Sequence, residues 1–146
     1  MQPAINKLSM KEYVLDSYAV LSYLKDEPNS EQVDRLFEAA RDGKCHLYMC
    51  VINLGEVMYI TERERSASKA QDTLTLINEL PIEIVNADRA LTLAAAHLKA
   101  DCPIAYADCF AAALSQLKNA ILVTGDPEFS KLKLDSRVRI EWLPLS

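Results

Sequence analysis

Histidine is nearly absent from this chain: His46 and His97 are the only two, far apart and without a recognisable partner. A hydrolase built on a histidine base, or a histidine-rich metal site, therefore has little to work with. The four cysteines (Cys45, Cys50, Cys102 and Cys109) form no C-x-x-C pair. That argues against a zinc knuckle and a thioredoxin-type motif. Cys50 and Cys109 lie in apolar runs and read as small core residues. No apolar run approaches the ~18 residues of a membrane span. Met1 to Met10 hold no long apolar stretch of the kind a secretory signal carries, so a cytoplasmic protein is the expectation. Basic residues are outnumbered, 16 Lys and Arg against 21 Asp and Glu, for a net charge of −5. This argues against polyanion binding through a broad basic surface. A nuclease stays open, because acids gathered around metal ions present less negative charge once the ions are bound.

What is present is a regular alternation. At 146 residues the chain fits a single domain, 1–146, with a real core. Residues 1–11 show no periodicity and read as a loose N-terminal arm. Tyr13 to Leu15, His46 to Ile52, Ile82 to Val85, Ala120 to Val123 and Val138 to Leu143 are short apolar runs and predict strands, the last at an edge. Between them lie helical patterns. Ser17 is the expected cap of a helix carrying Val20, Leu21 and Leu24. Ser30 opens one with Val33, Leu36, Phe37 and Ala40, ended by Gly43. Helices are also predicted over 53–63, from Ser66 to Pro81, over 88–99 and over 104–117. Short strands alternating with longer helices predict an α/β fold with a mostly parallel sheet of four or five strands and helices on both faces.

Four acids fall where such a sheet can bring them together, at the carboxyl ends of its strands. Asp16 follows the first strand, Glu56 lies one turn into the helix after the second, and Asp126 follows the fourth. Asp108 rides the helix between the third and fourth. Each has an ordinary alternative. Asp16 suits a turn, Asn53-x-x-Glu56 has capping-box spacing, and Asp126-Pro127 suits a helix start. Asp108 fits least well as an ordinary residue. It sits in Ala105-Tyr106-Ala107-Asp108-Cys109-Phe110-Ala111, where a buried carboxylate needs a partner and no Lys or Arg lies within a turn. Four converging carboxylates would repel one another unless a cation joined them. Hard divalent ions prefer oxygen ligands, and phosphodiester hydrolysis is the chemistry that suits an all-carboxylate site.

Leu15-Asp16-Ser17, Asn53-Leu54-Gly55-Glu56, Ala105-Tyr106-Ala107-Asp108 and Leu122-Val123-Thr124-Gly125-Asp126 resemble the four acidic motifs of the PIN-domain family. The resemblance covers residues 13–143, and the order of elements resembles the single-domain VapC-type toxins. It implies a three-layer α/β/α sandwich and ribonuclease activity dependent on Mg²⁺ or Mn²⁺. It also implies an antitoxin partner and often a homodimer. Carried over, Asp16 and Asp108 would be the principal metal ligands, with Glu56 and Asp126 completing the pocket, partly through water. Thr124 would orient a carboxylate and Phe129 would pack. Asn53 departs from the more usual Ser or Thr, and as a helix cap it would serve equally well.

Candidate RNA contacts are Arg63 and Arg65 after the Glu56 helix, and Lys131, Lys133, Arg137 and Arg139 near the end; surface charge is the ordinary alternative for each. The leading expectation is the toxin ribonuclease of a type II toxin–antitoxin pair. The alternatives are a non-catalytic PIN-like protein-binding module and an RNA-processing nuclease outside any such pair. A haloacid-dehalogenase-like phosphatase would need an acid two positions after Asp16, where Tyr18 stands.

Overall fold

The computed structural model describes residues 10–132 and 138–144. Five strands form one sheet: β1 (Lys11–Leu15), β2 (Cys45–Cys50), β3 (Glu83–Val85), β4 (Ile121–Thr124) and β5 (Ile140–Trp142). Their order across the sheet is β3-β2-β1-β4-β5, and every pairing is parallel. Among the described residues six α-helices connect them: α1 (Ser17–Leu24), α2 (Glu31–Arg41), α3 (Val51–Glu64), α4 (Ala67–Glu79), α5 (Arg89–Asp101) and α6 (Tyr106–Lys118). Short 3-10 turns occupy Pro28–Ser30 and Pro127–Lys131.

A parallel sheet covered on both sides has buried strands, and alternate residues serve opposite cores. Tyr13 and Leu15 of β1 join Leu47, Met49, Val33, Phe37 and Val57 in one core, under α1 to α4. Val14 joins Tyr48, Cys50, Leu122, Leu91, Leu98 and Leu114 in the other, under α5 and α6. Cys50 and Cys109 are fully buried in the latter, whereas His97 stands exposed on α5. The small residues of α6 matter here. Ala111, Ala112 and Ala113 are completely buried, so the helix backbone lies close to the sheet and carries Asp108 in with it.

Several boundaries differ from the sequence reading for identifiable reasons. Strand β1 starts at Lys11, inside the stretch read as a loose arm, because Lys11 and Glu12 pair with Cys45 and His46; residues 1–9 lie outside the described region. Asp16, not Ser17, caps α1: its backbone is extended and its side chain accepts from the Ala19 amide at 2.8 Å. Helix α3 starts at Val51, two residues before the expected Asn53 cap, so Asn53 sits inside the first turn. Ser66 caps α4 as expected, accepting from the Lys69 amide at 3.0 Å.

Candidate functional site

The chain runs from β1 outward to β2 and β3, then returns to place β4 on the other side of β1. The two directions part between β1 and β4, and a crevice opens beyond the carboxyl ends of strands at such a switch point. Asp16 follows the last residue of β1, and Asp126 lies two residues beyond the last residue of β4. The two acids thus flank the crevice because of the strand order alone.

Thr124 ties the two sides together. Its hydroxyl donates to Asp16 Oδ2 and accepts from the Asp126 amide at 3.0 Å. Asp16 Oδ1 is held by the Ala19 amide, so both oxygens of this carboxylate have a donor. Asp126 in turn accepts from the Glu128 amide at 2.9 Å and caps the 3-10 turn. Gly125 between them is required by close packing. A Cβ there would lie 2.4 Å from Cε1 of the Tyr18 ring, inside any tolerable contact.

Glu56 reaches the site from α3. Its Oε1 accepts from Ser17 Oγ at 3.0 Å and from Asn53 Nδ2 at 3.1 Å. Asn53 Nδ2 also donates to the carbonyl of Ala107 at 3.1 Å, the residue just before Asp108. Asp108 lies in the first turn of α6, largely buried.

The electrostatics follow from this crowding. Burial pushes the Asp16 carboxyl up to about 7; the Thr124 hydroxyl and Ala19 amide pull it back in part, and the charges of Asp108 and Asp126 add to the rise. Burial also raises Asp108 to about 7, reinforced by Asp126, Glu56 and Glu128. None of the four acids has an ion-pair partner among the described residues. The sheet therefore holds two buried carboxyls at a protonation balance near neutrality, in an acidic field, and among the described residues no basic side chain is paired with either of them.

Sequence reasoning assembled Asp16, Glu56, Asp108, Asp126 and Thr124 in one region, but it missed Ser17 and Glu128. Ser17 is the expected helix cap, and the sequence singles out no role for Glu128; their positions directly beside Asp16 and two residues from Asp126 are the available signals. The candidate RNA contacts fare differently. Arg139 donates to the Asn119 carbonyl at 2.9 Å, at the amino ends of β4 and β5, on the far edge of the sheet from the acids. Lys131 is paired with Glu128 at 2.8 Å. Arg63 lies over the Tyr59 ring, 5.3 Å from its centroid, and Arg65 is exposed at the end of α3. Lys133 and Arg137 lie outside the described residues.

Among the described residues no three carboxylate, imidazole or thiol side chains are placed to hold one ion between them. A closed tetrahedral centre does not suit that arrangement. A hard cation does: Mg²⁺ is ordinarily held by one or two carboxylates and keeps several waters. The all-oxygen donor set and the uncompensated buried acids fit such an ion.

Among solved structures the chain is similar in fold to a complex described as VapBC2 from Rickettsia felis bound to a DNA fragment from their promoter. The identity is 18%, the match covers 91% of this chain and 99% of that one, and the TM-score is 0.73. It is also similar to VapC20 of Mycobacterium tuberculosis, described as a sarcin-ricin loop cleaving toxin, at 15% identity over 81% and 92% of the two chains and TM-score 0.63. A third is VapBC-5 of Mycobacterium tuberculosis, described as a member of the VapBC family of toxin-antitoxin systems, at 16% identity over 90% and 98% and TM-score 0.60. No curated protein matches the chain in sequence. The PIN domain family model matches residues 13–134, a span that takes in all four acids, and the chain belongs to the PIN domain family.

Proposed function

We propose that this protein is an endoribonuclease dependent on Mg²⁺ or Mn²⁺, acting as the toxin of a type II toxin–antitoxin pair. The observation that carries the reading is the pair Asp16 and Asp108, two buried carboxyls raised to about 7 and without an ion-pair partner among the described residues. Asp16 and Asp108 would hold the ion, with Glu56 and Asp126 reaching it through water. When bound, the ion supplies a lowered pKa for an attacking water and charge relief at the phosphoryl oxygens.

The chain's own residues supply orientation. The Thr124 hydroxyl and the Ala19 amide lock Asp16 in one rotamer. Ser17 fixes Glu56 at Oε1 and leaves Oε2 as the acceptor for the proton of an attacking water. The Glu128 amide fixes Asp126. The reading takes residues 1–146 as one domain, which is supported by both cores lying against the same sheet, and takes the protein to act in the cytoplasm. The VapBC assemblies among the similar structures support an antitoxin protein as partner.

The test is RNA cleavage with and without EDTA, together with the substitution Asp108→Asn. Cleavage restored by Mn²⁺ and lost in a folded Asp108→Asn protein is expected. Full RNase activity in that variant, or activity indifferent to EDTA, would overturn the reading. Growth arrest on expression, relieved by the product of a neighbouring reading frame, separates the toxin from a general processing nuclease.

A further inference from the structure

We infer that Asn53 is a positioning residue, a two-armed clamp that sets Glu56 against Asp108; this rests on the proposed nuclease reading of the site. Asn53 is completely buried, and its single amide nitrogen serves two helices. One N–H goes to Glu56 Oε1 on its own helix α3, and the other to the carbonyl of Ala107 on α6, both at 3.1 Å. Ala107 directly precedes Asp108, so the clamp fixes the register of one acid-bearing helix against the other.

The orientation of this amide is determined by its surroundings. Turned over, it would aim Oδ1 at a carboxylate and a carbonyl, both acceptors. As placed, Oδ1 is left without any donor, and it is the one buried side-chain nitrogen or oxygen in that condition among the described residues. An orphaned buried acceptor is costly, and most native positions avoid it. The position accepts this cost for what Nδ2 does. Serine and threonine bring one hydroxyl hydrogen and cannot reach two acceptors at once, aspartate brings no donor, and leucine matches the volume but brings none either. The helix-cap position that the sequence suggests for Asn53 falls instead to Cys50, whose backbone is extended and whose side chain makes no capping hydrogen bond.

The consequence is a choice of oxygen. Ser17 and Asn53 both donate to Oε1, and among the described residues neither they nor any other group donates to Oε2. The clamp therefore decides which oxygen of Glu56 stays available to the site.

The substitution Asn53→Leu separates this from a structural role. It removes the orphaned oxygen together with the donor to Glu56 Oε1 and to the Ala107 carbonyl, two effects of opposite sign on stability, so the variant is assayed at a temperature where thermal unfolding shows it folded. Its kcat for RNA should nevertheless fall about 10–100-fold, the usual loss when a partner that orients a ligand is removed, with KM within about twofold. Asn53→Asp, which sets a second carboxylate against Glu56, should fall at least as far. A readout free of catalysis comes from the metal-free protein: the side-chain NH₂ of Asn53 should exchange slowly with solvent and shift in nitrogen-proton NMR spectra on Glu56→Ala. A folded Asn53→Leu protein that keeps its kcat would overturn the inference. So would fast exchange of that NH₂ or its indifference to Glu56→Ala. If the wild type cuts no RNA, the nuclease reading fails by itself, and the NMR result together with Mn²⁺ affinity in Asn53→Leu still decides whether the clamp exists.

Discussion

The metal-free protein should become less stable as pH rises from about 5 to about 8, the reverse of ordinary behaviour for a chain rich in acids. Asp16 and Asp108 titrate near 7 in the folded protein, against an ordinary 3.8. Between those values the folded chain keeps protons that the unfolded chain has released, and stability then falls with rising pH. One carboxyl with this displacement contributes a loss of about 2.6 kcal/mol between about pH 5 and about pH 8. Both groups are buried, so solvent screening relieves little of it. Because each acid raises the other's field, the combined loss lies between one such contribution and two. For a protein of this size the single contribution corresponds to a fall in Tm of about 5–10 °C. The assay is thermal or urea unfolding in EDTA across that range, repeated with Mn²⁺. The ion should recover most of the loss at the alkaline end and little at the acidic end. Asp108→Asn should raise the metal-free Tm at about pH 8 and flatten its pH dependence, while abolishing cleavage. A Tm that is level or climbs with pH in EDTA, or an ion effect of equal size at both ends, would refute the reasoning.

Thr124→Val keeps the shape of a fully buried residue but removes the donor to Asp16 Oδ2. A hydrogen bond to a charged group contributes about 1.5–3 kcal/mol, so Asp16 should titrate about one to two pH units higher and the acidic limb of the pH–rate profile should move up with it; an unmoved profile would mean that Asp16 is not the group observed. Gly125→Ala drives a methyl into the Tyr18 ring. It should cost about 1–3 kcal/mol in urea unfolding, as overpacking does, and Tyr18→Ala should relieve most of it; additive losses in the double variant would place the strain elsewhere.

The topology was legible because apolar runs and helical periods alternate without ambiguity over most of the chain. Boundaries were lost where one residue type serves two roles. Asp16 and Ser17 are both good helix caps, and only the fold decides which has the extended backbone. Val51 and Ile52 are β-branched and follow an apolar run, so they read as strand; the helix claims them because it leaves β2 without a loop. Lys11 and Glu12 concealed the start of β1. Glu12 is acceptable in a strand because the Tyr48 hydroxyl of the neighbouring strand donates to it, a partner 36 residues away. In the candidate site the acids were legible from type and spacing. Of the groups that orient them, Thr124 and Asn53 were legible as polar residues beside the acids, whereas Ser17 was not, because it reaches Glu56, 39 residues away, only through packing of α1 against α3.

The strand order also fixes a timetable. Asp16 and its partner Thr124 are separated by 108 residues, so at ordinary rates of synthesis Asp16 emerges about 5–20 s before Thr124 exists. Until β4 takes its place beside β1, nothing donates to Asp16 Oδ2, Asp126 is missing and the crevice has one wall. A chain that stops after α6 therefore carries three of the four acids and no site. On the proposed nuclease reading, activity would therefore begin only once β4 has joined the sheet, and a product interrupted after α6 would have none.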